Sequence, residues 1–90
     1  LEAATVNGLS IGADGRLFAA QHQRQQISVI APSGEIARVI KLREFSGPAH
    51  VFFNPADGLL YVGDVWNRSL VVVDPEGKLV ASLDLEGSQA

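Results

Sequence analysis

A shift of 43 residues lays this chain over itself. It carries Ala13-Asp14-Gly15 onto Ala56-Asp57-Gly58, Pro32 onto Pro75 and Gly34 onto Gly77. The same shift matches Leu17 with Leu60, Phe18 with Tyr61, Val29 with Val72, and Leu42 with Leu85. Ile27, Ile30, Ile36 and Ile40 fall on Leu70, Val73, Leu79 and Leu83. Two such units fill nearly all 90 residues. A fixed period of this length marks a repeat architecture, in which each unit buries its apolar face against the next. The reading divides the chain into residues 1–48 and 49–90.

Each unit reads as four short strands. In the first they cover residues 8–11, 16–20, 26–31 and 36–42. In the second they cover 50–53, 59–63, 69–73 and 79–85. These runs are rich in β-branched and aromatic residues and are bounded by turn formers. No window of a dozen residues keeps a helical stripe free of Gly and Pro. Asp14-Gly15 and Asp57-Gly58 are hairpin signals, because Gly takes the positive φ such turns demand. Ala31-Pro32-Ser33-Gly34 and Asp74-Pro75-Glu76-Gly77 place Pro at the second turn position, where its fixed φ suits a type I turn. The connections at residues 21–25 and 64–68 are longer and polar. In an antiparallel meander these longer loops share one end with the segments between units, and the tight turns share the other. Function concentrates on longer loops held by a rigid scaffold.

The third strands do not alternate. Leu70-Val71-Val72-Val73 is apolar throughout, and Ile27-Ser28-Val29-Ile30 nearly so. A strand covered on one face alternates, so a continuous run predicts burial on both faces. Four-stranded units of about 40–45 residues, each sandwiched between neighbours, are β-propeller blades. The predicted fold class is therefore all-β, with two four-stranded antiparallel propeller blades.

Composition removes other classes. There is no cysteine, which excludes disulfides and thiolate metal sites. Seven Lys and Arg stand against ten Asp and Glu, a net charge of −3, and no basic patch fits a nucleic-acid partner. No apolar run approaches the roughly 18 residues of a membrane span, so no membrane partner is expected. No nucleophile elbow, Gly-rich phosphate loop or H-E-x-x-H motif occurs.

GLLYVGDVWNRSLVVVDPEGKLVASL (residues 58–83) resembles an NHL-type propeller blade. NGLSIGADGRLFAAQ (residues 7–21) resembles the blade start of the SMP-30/gluconolactonase/luciferin-regenerating enzyme-like superfamily. The resemblance implies a propeller of about six blades, of which this chain supplies two. The remaining blades then come from the same parent chain, the preferred reading, or from identical chains, three of which would complete a ring. Residues 87–90 read as the lead-in to another blade. Many bacterial members are exported, which leans the location toward periplasmic or extracellular.

The resemblance also implies a divalent metal in the central channel, with an Asn of an N-G-L motif among its ligands. Asn7-Gly8-Leu9 matches, and a carbonyl oxygen suits Ca²⁺ or Mg²⁺. Asn7 could equally hydrogen-bond a turn. The 43-residue shift places His50 at the position of Asn7, where it could ligate Zn²⁺, act as a base or bond neighbouring backbone. The family pattern has an Asp near here, and Ala49-His50 departs from it. His22 and Trp66 lie in corresponding loops with Asp64. Trp66 could stack on a sugar or lactone ring or pack between blades, and Asp64 could form a surface ion pair with Arg68. Two functions remain open: a scaffold that binds a small molecule or a protein through His22, His50, Asp64 and Trp66, or a metal-dependent lactone hydrolase with Asn7 as one ligand. The alternative of a purely structural repeat piece needs no site at all.

Overall fold

The computed structural model describes residues 6–85. It is all-β, with two four-stranded antiparallel sheets, each a meander in chain order. The first sheet holds β1 (Gly8–Ile11), β2 (Leu17–Gln21), β3 (Gln26–Ile30) and β4 (Ile36–Ile40). The second holds β5 (Pro48–Asn54), β6 (Leu59–Asp64), β7 (Ser69–Val73) and β8 (Leu79–Asp84). Eight of the sixteen strand ends fall as expected, and the other eight move by one or two residues. The largest change is in β5, which starts at Pro48 and pairs Pro48 with Asp64. A three-residue 3-10 turn at His22–Arg24 was not anticipated from the polar loop. It closes with Gln25 in the left-handed region at φ 58°. The expectation for residues 87–90 lies outside the described residues, where β8 is followed by a turn at Leu85.

The turns follow their chemistry. Gly15 and Gly58 take φ of +89° and +72°. At the Pro turns, the amides of Gly34 and Gly77 donate to the carbonyls of Ala31 and Asp74 at 2.8 and 2.9 Å. Asp74 strengthens its turn by accepting from the amides of Glu76 and Lys78.

The core lies between the sheets. Alternation sends Phe18, Ala20, Ile27, Val29 and Ile40 from the first blade toward Val51, Leu60, Val62, Val71 and Val73 of the second. The Phe18 and Phe53 rings stack across the joint with centroids 6.0 Å apart. Full burial of side chains such as Phe18, Ile27 and Leu60 stabilises by about 1.5–3 kcal/mol each. The third strands are covered on both faces as the continuous apolar runs imply. Ile27, Ser28, Val29 and Ile30 are all buried, as are Val71, Val72 and Val73.

The pairing registers correct the sequence alignment of the inner strands. Gly8 pairs with Ala20, and His50 pairs with Gly63. Ala20 and Gly63 are 43 apart, but Gly8 and His50 are 42 apart, so His50 corresponds to Gly8 and not to Asn7. The first hairpin is one residue shorter: Ile11 pairs with Leu17, whereas Phe53 pairs with Leu60. A one-residue offset moves a strand's side chains to the opposite face.

Candidate functional site at the loop-bearing end

The longer loops do share one end, with the start of β1 and the connection between blades. Four consecutive residues, from Asp64 at the end of β6 to Asn67 in the β6–β7 loop, grip that connection. Asp64 is only 2 % exposed. Its carboxylate accepts the amides of Ser46 at 2.7 Å and Gly47 at 2.8 Å, and the amide of Asn67 at 3.0 Å. The Val65 amide donates to the Gly47 carbonyl at 3.0 Å. Asn67 Nδ2 donates to the Glu44 carbonyl at 3.4 Å. The Trp66 ring lies over Gly47, where a Cβ would come within 2.4 Å of the indole Cγ. Any side chain at 47 would therefore displace the indole.

This corrects the expectation of Asp64 at the surface. Its carboxylate is a buried acceptor for backbone amides, held where the chain crosses between blades. Gln21 occupies the corresponding place in the first blade. Its Oε1 accepts from Gln26 Nε2 and Ser28 Oγ, while its buried Nε2 finds no acceptor among the described residues. Sequence reading did not single out Gln21, Ser46 or Gly47 as bonding partners; the 43-residue shift from Asp64 was the signal for the first.

Asn7, His22 and Trp66 come together from both blades. Asn7 Oδ1 accepts the His22 backbone amide at 3.1 Å and lies in hydrogen-bond contact with His22 Nδ1. Since that oxygen already accepts an amide, the proton of the pair belongs on Nδ1. The His22 ring meets the Trp66 indole edge to face, with centroids 5.3 Å apart. Trp66 nonetheless stays 59 % exposed. His50 is exposed and lies in β5, its Cβ 3.5 Å from where a Cβ on Gly63 would be. It follows the alternation of Phe52 and faces away from the first blade, so the structure does not bring it into the Asn7–His22–Trp66 group.

The residues do not by themselves fit a divalent cation. Asn7 Oδ1 is engaged by His22, Asp64 by three amides, and no group of three or more His, Asp or Glu among the described residues converges on one point. No enclosed cavity opens beneath the cluster among the described residues. What the arrangement offers is a shallow surface with one exposed indole, braced by His22.

No protein-family model and no curated protein matches the chain. Among solved structures it is similar to hydrazine synthase from Kuenenia stuttgartiensis, with 17 % identity and a TM-score of 0.75, covering 91 % of this chain and 25 % of that one. It is also similar to a catalytically inactive variant of virginiamycin B lyase from Staphylococcus aureus, with quinupristin. There the identity is 18 % and the TM-score 0.76, covering 89 % of this chain and 27 % of that one. Both are propeller-type folds, so the two sheets are propeller blades. The chain spans about a quarter of the length of either structure.

Proposed function

We propose that this chain is a two-blade segment of a β-propeller of the NHL or SMP-30-like kind that acts as a binding scaffold, taking a small molecule or protein at its loop-bearing end. The remaining blades come from the parent chain or from identical chains. The observation that carries the reading is the exposed Trp66 indole, held by Gly47 beneath and His22 at its edge. A rigidly placed aromatic on a shallow surface contributes contact area at small entropic cost, which suits a ring or a flat protein patch.

Trp66 is the sole tryptophan, so its emission reports contact directly. The full chain is titrated with glucono-1,5-lactone and with quinupristin, which accompanies the Staphylococcus aureus protein. A saturable change in emission with either supports the reading. An emission that neither alters, while iodide quenches it freely, counts against it. The divalent-metal-dependent lactonase has weaker support, because the Asn7 oxygen already has its partners. Calorimetric titration with Ca²⁺ and Zn²⁺ is expected to show no tight binding by this chain. A tight site would put the lactonase ahead of the scaffold.

A further inference from the structure

Two polar groups beside the exposed indole have no partner among the described residues. Asn7 Oδ1 takes the His22 amide at 3.1 Å and the proton on His22 Nδ1. In a neutral imidazole protonated at Nδ1, Nε2 holds a lone pair and accepts. Among the described residues no donor meets His22 Nε2, and no acceptor meets the Trp66 indole N–H. His22 is half-buried and Trp66 is exposed. The two rings stand at 81° with centroids 5.3 Å apart. The negative π face of an aromatic ring attracts the C–H rim of its neighbour and repels a lone pair, so Nε2 is not aimed into the indole. A single small molecule can therefore meet an apolar indole face, a donor on the indole edge and an acceptor on the imidazole edge.

Asn7 decides the sign of that last group. A carboxylate in its place would favour imidazolium, whose two nitrogens both donate. The amide oxygen of Asn7 orders the ring and adds no charge that would hold a second proton on it. We propose that Trp66, His22 and Asn7 select a neutral ring bearing a free hydroxyl beside a C–H-rich face, the chemistry of an uncharged sugar. The C–H face lies on the indole, a hydroxyl donates to His22 Nε2, and a ligand oxygen accepts the indole N–H. Asn7 touches no ligand; it is a positioning residue that fixes which His22 nitrogen accepts. The proposal rests on the scaffold reading and narrows it to a small molecule.

The test reads Trp66 emission of the full chain in weakly alkaline buffer, where imidazole is neutral. Methyl glucoside, galactoside, mannoside and xyloside are each titrated beside the per-O-methylated form of the same sugar, which keeps the ring and its oxygens but donates nothing. At least one free glycoside is expected to bind saturably and more tightly than its methylated form, by roughly fivefold for one lost hydrogen bond. His22→Phe keeps a ring against Trp66 and removes the acceptor, so the preference should vanish. Asn7→Asp keeps an acceptor for the His22 amide but turns Nε2 into a donor. It should erase the preference with an unchanged far-ultraviolet dichroism spectrum, whereas a purely structural Asn7 would leave the preference intact. Free and methylated glycosides that bind alike, or a preference that persists in His22→Phe, overturn the proposal and leave the scaffold standing. Should His22→Phe fail to fold, the paired titrations of the natural chain and of Asn7→Asp still decide. If quinupristin alters the emission and no glycoside does, the hydroxyl selection falls and the scaffold stands. If nothing alters it, both fall.

Discussion

Asp64 and Gly47 are bound carboxylate to amide at 2.8 Å, and this bond ties the last residue of β6 to the strand of chain that carries the fold from one blade to the next. The same carboxylate holds the Ser46 and Asn67 amides. Asp64→Ala leaves these donors unpaired, and a lost bond to a charged acceptor costs about 1.5–3 kcal/mol. A loss of about 3 kcal/mol or more in denaturant unfolding is expected, with Asp64→Asn distinctly milder because one acceptor oxygen survives. Equal stability of Asp64→Ala and the natural chain would show that the amides find water instead.

Val72 is 6 % exposed and sits on the face of β7 opposite Val71 and Val73. Val72→Asp buries a carboxylate without a partner, which costs several kcal/mol and forces the group toward its neutral form. The variant is expected to be severely destabilised at neutral pH and to recover partly in acid. Unchanged thermal stability would mean that the face is wet.

Gly47 is fitted to Trp66. Gly47→Ala is expected to push the indole off the backbone, shift its emission and lower stability. With Trp66→Ala in the background the cost of Gly47→Ala should largely vanish, and the non-additivity of the double-mutant cycle measures the coupling. Additive effects would place the two residues out of contact.

Asp57 and Tyr61 are a surface pair with a pH signature. The Tyr61 hydroxyl donates to Asp57 Oδ2, and with the Leu59 amide it holds the Asp57 carboxyl below its ordinary value. The bond to Asp57 in turn raises the Tyr61 phenol above 10.0. A lowered carboxylate contributes stability above its unfolded pKa that is lost as pH falls through the folded one. A raised phenol contributes stability below its unfolded pKa that is lost as pH rises through the folded one. The bond between them lies at the surface, with Asp57 exposed and Tyr61 half-buried, so the effect is small. Tyr61→Phe is expected to flatten the stability profile at the alkaline limb and weaken it at the acid limb. A profile unchanged at both ends would show that the pair does not persist in solution.

The strands, the tight turns and the double-sided third strands were legible because each is written locally. Asp-Gly and Pro-x-Gly fix turn dihedrals within four residues, and Leu70-Val71-Val72-Val73 declares its burial without reference to any partner. The repeat likewise laid the connection at residues 21–25 over that at 64–68 and put the long loops at one end. It could not show that His50 answers to Gly8, because the register of β1 against β2 depends on a hairpin one residue shorter, and only paired strands reveal which residue stands opposite Ala20 and Gly63. Nor could it show that Asp64 turns inward to the Ser46 and Gly47 amides, or that Asn7, His22 and Trp66 meet from two blades. Those contacts join segments far apart in the chain, and their geometry is set by how one sheet packs on the next, a non-local choice that side-chain pattern constrains but backbone pairing decides.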